Sequence, residues 1–289
     1  MIYMRGQRQD YDNWADQHGC ANWRYSDVLP AFIKQERNTR LGDPYHGRSG
    51  RLIVNDPSSP HPIAATLMDA ARSAGLSATD DFNGAQQEGA GWYQVTASRG
   101  KRQSAATCFL GPELHRENLK VLTGLTVGRI QIENRRAVAV EVMDAEGRER
   151  VLRASREIIL TAGSFHSPKL LMLSGVGPAD ELLRHGVNLV LDTPEVGQNL
   201  QDHVGTPVTR RLKGELGLHG QDRGFAALKN RLEYVLLRRG LLTSNLLQAG
   251  ACADTTGDGR PDVQFNLAPF APDSRASRLR RFTPHRCIR

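Results

Sequence analysis

Glu157-Ile-Ile-Leu160-Thr-Ala162-Gly163-Ser-Phe-His-Ser167-Pro168-Lys-Leu-Leu-Met-Leu173-Ser174-Gly175-Val-Gly177-Pro178 decides the fold class of this chain. Glu157–Leu160 is a short apolar run that predicts a buried strand ending at Ala162-Gly163. Ser167-Pro168 predicts a helix start, with Ser as N-cap and Pro at the first helical position, where no N–H is needed. Leu170, Leu171 and Leu173 give that helix an apolar side, and Gly175 ends it. Gly177-Pro178 opens a second short helix, closed by Gly186. A strand that ends in small residues lets another molecule approach the backbone closely. In open α/β sheets, ligands lie beyond the carboxyl ends of strands. Two readings of Ala162-Gly163 stand: a ligand-facing strand end, or a tight strand–helix junction with no ligand.

Upstream of this unit the pattern predicts a β-meander. Leu119–Leu122 reads as a short strand. Val127, Arg129 and Gln131 alternate with Gly128, Ile130 and Ile132, and Asn134-Arg135 makes a turn. Val138, Val140 and Val142 alternate in the next strand, Glu146-Gly147 turns, and Arg150–Leu152 returns. Ile63–Ala74 has helical apolar spacing with Gly75 as its stop. Ser26 or Asp27 is placed to cap a helix through Val28, Leu29, Phe32 and Ile33. Arg51–Val54 and Val263–Asn266 read as strands. Gly84, Gly89 and Gly91 read as loops. A helix over Phe225–Arg238 sets Phe225, Leu228, Leu232, Val235 and Leu236 on one face. The fold class is α/β in the mixed α+β sense.

The 289 residues fit one or two domains. With 39% hydrophobic and 24% charged residues, the chain is neither a disordered tail nor a membrane bundle. No run reaches the ~18–20 apolar residues of a membrane span. The opening residues are charged and aromatic, with no apolar stretch of secretory type. The formal charge is +7, yet the last 15 residues hold six arginines and no carboxylate. Removing those six leaves +1 for the rest. The tail, residues 275–289, reads as a solvated end or as an anion-binding element, not as a specific nucleic-acid site. Cys20, Cys108, Cys252 and Cys287 show no metal-ligand spacing, so reduced thiols in a cytoplasmic protein are expected.

Chemistry-bearing patterns are few. No GxGxxG and no P-loop pattern is present. Asp254-Thr-Thr-Gly-Asp258-Gly259 begins like a calcium loop, but Phe265 stands where the twelfth-position Glu is needed, so a polar turn is expected. Asp202-His203 pairs a carboxylate with an imidazole but lacks a partnered nucleophile. Ser104, Ser167 and Ser174 have no nucleophile-elbow context.

Gly163–Pro178 resembles the second signature of the glucose–methanol–choline (GMC) oxidoreductases, flavoenzymes that oxidise alcohols. Four further stretches resemble that family in the same order. Met1–Gly6 with Asp10–Trp14 resembles the segment after its first signature, and Gly91–Thr96 with Arg102–Ala106 resembles its mid-region. Asn118–Thr123 leads into Val127, and Val196–His203 is a further block. The nearest branch is similar to choline dehydrogenase.

The resemblance implies bound FAD. Its adenine would meet backbone groups at Val127, and its nucleotide portion would lie near Ala162 and Gly163. Ile2 and Tyr3 would pass beside the isoalloxazine ring. The implied reaction removes the proton of a small-molecule alcohol and transfers a hydride from its carbon to flavin N5. The family's histidine base matches no residue of this chain, and His203 does not inherit its role. The implied organisation is a partial FAD-binding domain over 1–204, the beginning of a substrate-binding domain over 205–274, and the Arg-rich tail. The chain would then be a middle fragment, inactive by itself, with parallel strands left short of neighbours. The rival reading is a non-enzymatic basic protein that binds anionic partners through its tail.

Overall fold

The computed structural model describes residues 1–209, 218, 220–269, 271–272 and 282–283. The chain forms two compact units. Unit 1 joins Met1–Arg116 to Pro207–Arg289, and unit 2 is Glu117–Thr206.

Unit 1 opens with helix α1 (Arg8–Asp16), whose first turn is closed when the Gln7 N–H donates to Asp10 Oδ2 at 2.8 Å. Helix α2 is Tyr25–Gln35. It starts before the expected Ser26 or Asp27 cap: Asp27 sits in the first turn and accepts the Arg24 N–H at 3.1 Å. A parallel pair follows, β1 (Glu36–Asn38) and β2 (Leu52–Val54). Helix α3 (Pro62–Ser73) agrees with the apolar spacing, and Pro62 at its first position needs no N–H. Ile63, Ala64 and Met68 of α3 pack on Ala249 and Leu267, one of the two cores of this unit.

The expected loop at Gly89 and Gly91 is instead strand β3 (Gly89–Trp92). Its neighbour in space is β11 (Ala249–Ala253), which pairs on its other side with β12 (Val263–Asn266). Glycine and alanine have low strand propensity, so period-2 patterning did not reveal β3 or β11. Their smallness serves close approach. A Cβ at Gly250 would overlap the Tyr93 hydroxyl and the Phe265 carbonyl, and one at Gly91 would overlap the Thr79 carbonyl. Tyr93 lies in the second core, with Phe82 and Cys252. The hairpin β4 (Ala97–Ser98) and β5 (Lys101–Arg102) turns on Arg99-Gly100, both at positive φ.

Beneath β1 lies a buried charge network. Glu36 is fully buried and accepts from Arg5 Nη2 at 2.6 Å and Asn38 Nδ2 at 2.8 Å, and it meets His46 Nδ1 at 2.9 Å. His46 Nε2 meets Asp81 at 2.9 Å. Burial by itself would lower the His46 pKa. The hydrogen bonds and charges of Asp81 and Glu36 outweigh it and hold His46 at about 9. Asp81, although burial pushes it up, is held below the usual carboxylate range by His46 and the Asn83 N–H.

Unit 2 contains the expected meander as β6 (Thr126–Glu133), β7 (Arg136–Met143) and β8 (Glu149–Arg153). Asn134 and Arg135 both take positive φ, the two-residue turn that suits the strand twist. Leu119–Leu122 is not a strand, and Leu122 is exposed. The expected buried strand Glu157–Leu160 is also absent: no strand pairs with it among the described residues, and Ile159 is 76% exposed. An apolar run becomes a buried strand only where neighbours pair on both sides.

Helix α4 is Gly163–Leu173, one turn earlier than expected, with Pro168 inside it. Ser167 is therefore not the N-cap; its Oγ accepts the Ala162 N–H at 3.0 Å. The helix packs on β6, where Ser174 Oγ accepts the Ile130 N–H at 2.8 Å. Gly175 takes φ +84 against Asn188, which admits the parallel pair β9 (Val176–Gly177) and β10 (Leu191–Asp192). Helix α5 (Ala179–Arg184) buries Leu182. In unit 1, α6 (Gly224–Leu232) continues as a π-helical turn, Glu233–Leu237. The last pair, β13 (Ala271–Pro272) with β14 (Phe282–Thr283), is antiparallel.

Gly250→Ala is expected to destabilise the protein by ~1–3 kcal/mol, because the central strand of the three must shift off Tyr93. A thermal melt with an unchanged midpoint would refute that packing account. The pH response has a definite sign. The folded His46 pKa lies above the free imidazole value of 6.5, so its contribution is full below about pH 6.5 and fades as pH rises through about 9. Urea midpoints should fall across that window in the native chain and be flatter in His46→Gln.

Candidate functional site

The five residues singled out from the sequence fall into two groups, one in each unit. Ile2 and Tyr3 lie in an extended opening segment of unit 1. Ile2 bridges Val95, and the Tyr3 N–H donates to the Gln94 carbonyl at 2.8 Å. Val127, Ala162 and Gly163 lie in unit 2, at the start of β6 and the entry to α4.

The opening segment is fixed from several sides. The Arg5 N–H donates to Asn83 Oδ1 at 2.7 Å, and Asn83 Nδ2 returns a bond to the Tyr3 carbonyl at 3.0 Å. The Arg5 guanidinium lies 5.6 Å from the Tyr3 ring centre and 5.0 Å from that of Phe32. Burial raises the Tyr3 phenol, and nearby Arg5 only partly opposes it, so the hydroxyl stays protonated through the physiological range. Tyr3 is thus an amphipathic, half-buried side chain on a rigid backbone.

In unit 2 the Val127 side chain is 38% exposed, and Ala162 and Gly163 are both exposed. Gly163 takes φ +86, and no heavy atom lies within 4 Å of where a Cβ would stand. The α4 entry is open to an incoming molecule. The α4–α5 side of this unit carries a groove of about 460 Å³ lined by Phe165, Pro168, Met172, Leu182 and His185.

The other candidates resolve into structural roles. The Asp254 carboxylate accepts the N–H groups of Thr256, Gly257 and Gly259, a polar turn as expected, and no metal-binding cluster occurs among the described residues. His203 is exposed, and its own N–H bonds Asp202. Ser174 Oγ donates to the Leu170 carbonyl and is fully used. Burial raises the Cys252 thiol to about 11, which leaves it unreactive. Of the Arg-rich tail, only Phe282 and Thr283 lie among the described residues. Sequence reasoning missed the network of Arg5, Glu36, His46 and Asp81. Its members lie up to 76 positions apart and share no motif. Locally, Glu36 shows only as a charged residue at the junction of α2 and β1, after Lys34 and Gln35.

Comparison with known proteins supplies the family. The GMC oxidoreductase model matches residues 1–205. Oxygen-dependent choline dehydrogenase from Brucella anthropi is 37% identical over 272 residues, covering 94% of this chain and 49% of that protein. The human protein named choline dehydrogenase, mitochondrial, is 37% identical over 270 residues, covering 93% of this chain and 45% of its own length. The chain spans about half the length of the curated relatives it matches. Among solved structures, a formate oxidase superposes with a TM-score of 0.77 at 28% identity, covering 87% of this chain and 45% of that one. Pyridoxine 4-oxidase from Mesorbium loti gives 0.66 at 35% identity, covering 70% and 40%. Nothing in these relationships supports a non-enzymatic basic protein acting through its tail. The chain belongs to the GMC oxidoreductases, a family of FAD-dependent oxidoreductases.

Proposed function

We propose that this chain forms flavin-facing structure of an oxidoreductase that acts on the CH–OH group of a small alcohol, of choline-dehydrogenase type. One observation carries the reading: choline dehydrogenases are 37% identical along 94% of this chain. FAD, when bound, supplies the acceptor for a hydride leaving the alcohol carbon. In this reading residues 1–204 belong to the FAD-binding domain and residues 205–274 begin the substrate-binding domain.

The residues present fit the cofactor in specific ways. Val127 would offer strand backbone groups to the adenine while its side chain packs. Ala162 and Gly163 suit a nucleotide because they add no bulk at an open helix entry, and Gly163 already holds a backbone angle that a side chain would strain. Ile2 and Tyr3 would line the ring system. Their segment is held by Asn83, Gln94 and the Arg5–Glu36 pair, so their position is set before any ligand arrives. No histidine of this chain is assigned as proton acceptor: His46 is locked between two carboxylates, and His203 stands exposed beside Asp202. The cytoplasmic placement remains part of the proposal, supported by the free thiols of Cys20, Cys108 and Cys252.

The test is a flavin titration of the purified chain, followed by quenching of flavin fluorescence. Saturable but weak binding is expected, with no choline-dependent dye reduction by the chain alone. Ala162→Glu sets bulk and a negative charge beside the place proposed for the nucleotide portion, and should weaken binding about tenfold, ~1.4 kcal/mol, without moving the melting temperature. A chain that never quenches flavin, or a variant that binds as well as the native chain, would overturn the assignment.

A further inference from the structure

The meander of unit 2 has two edges, and they are built differently. The β6 edge is broken by register shifts at Val127/Arg129 and Gln131/Ile132, and its Ile130 N–H is taken by Ser174 Oγ at 2.8 Å. The β8 edge runs without a shift from Glu149 to Arg153 and contains no proline. No strand pairs with its other side among the described residues. Sheets commonly blunt an open edge with a bulge or a proline, and β8 has neither. Two hydrogen bonds fix which groups face that open side. The Ala154 N–H donates to the Val138 carbonyl at 2.8 Å, and the Asp144 N–H to the Arg148 carbonyl at 3.2 Å, at the two ends of the β7–β8 ladder. Opposed residues of an antiparallel pair alternate between bonded and unbonded. Arg150 and Leu152 therefore bond to β7, while Glu149, Val151 and Arg153 turn their N–H and C=O groups away from it.

The charges on this edge select its partner. Glu149, Val151 and Arg153 share one face of the strand, since side chains alternate. All three are exposed, Val151 by half. Glu149 and Arg153 have no ion-pair partner among the described residues, and four residues of strand hold them about 13 Å apart, out of each other's reach. Laid antiparallel against a second copy of itself, with Val151 opposite Val151, the strand sets Glu149 against Arg153 at both ends. In that register outward-turned residues meet outward-turned residues, and each opposed pair forms two backbone bonds. Two ion pairs then flank a central pair of valines. Arg150 stands opposite Leu152, so no like charges face each other directly. A slip by one residue would oppose outward-turned groups to groups already bonded to β7. A slip by two would set Glu149 or Arg153 against Val151.

We propose that β8 is a self-complementary edge through which two copies of this chain join, strand to strand, about a two-fold axis at Val151. The two meanders become one continuous sheet, and the two-fold symmetry closes the assembly as a dimer. An interface of one short strand on each side is small, so the association is weak and reversible. The proposal is independent of the flavin reading: it uses unit 2 alone, and no residue assigned to the cofactor lies on β8.

The experiment is sedimentation velocity of the full chain over a rising concentration series, with amide hydrogen exchange at its two ends. A reversible monomer–dimer equilibrium is expected, with the amides of Glu149, Val151 and Arg153 protected in the dimer. Glu149→Arg sets like charges opposite each other at both ends of the pair and should weaken association about tenfold. Adding Arg153→Glu reverses the ion pairs and should restore it. Both side chains are exposed, so the melting temperatures of these two variants should match the native chain. Val151→Pro removes an N–H on the open side of the strand and should abolish the dimer. A chain that stays monomeric at every concentration would overturn the proposal. A dimer that Glu149→Arg leaves undiminished would assign the contact to another surface. Failure of the double variant to recover would refute the register.

Discussion

A carboxylate with no exposure to water governs unit 1. Taking Glu36 out of solvent costs several kcal/mol unless its charge is matched and its lone pairs are used. Arg5, Asn38 and His46 do both, at 2.6 to 2.9 Å. Each partner comes from a different place: the opening segment, β1 itself and the loop after it. The requirement to satisfy one buried group therefore ties together segments that local propensity would leave independent. Removing a partner would leave an uncompensated charge, which typically costs ~3–5 kcal/mol. Arg5 is not fully satisfied even so: its buried Nε has no hydrogen-bond partner among the described residues, while its Nη2 holds Glu36.

That network bears directly on the candidate site. Tyr3 and Arg5 are two residues apart, so fixing the Arg5 guanidinium against Glu36 fixes the backbone that presents Ile2 and Tyr3. Asn83 closes the same segment from the other side with one bond in each direction. A ligand-facing residue gains precision when its support is rigid before binding. The other group of candidates depends on absence of bulk instead. Gly163 is open where a side chain would stand, whereas Gly175 is pressed against Asn188. Two glycines twelve positions apart in the same motif thus serve different ends, one access and one packing.

The two units differ in how they bury apolar surface. Unit 1 closes two cores around Met68 and Tyr93. Unit 2 keeps its meander regular but leaves Ile159, Phe165 and Leu183 more than half exposed. The α6 helix is a third case, anchored on one face through buried Asn230 and apolar on the other, where Phe225 is 82% exposed.

Legible along the chain are the family, the α3 helix, the three-stranded meander with its Asn134-Arg135 turn, and the strand Val263–Asn266. These follow from local rules: helical spacing, period-2 alternation, turn residues with accessible positive φ, and motifs that are contiguous in the chain. Local pattern misread Glu157–Leu160 as a strand and placed the start of α4 one turn late, since pairing partners and the capping register are not local properties. It passed over β3 and β11 because small residues carry no period. Three features arise from long-range contacts alone: the apolar face of α6 points outward, Glu36 is buried, and Arg5, Glu36, His46 and Asp81 link into one chain of contacts. The physical reason is common to all three: burial and charge pairing depend on which distant segments meet, and no spacing along the chain encodes that meeting.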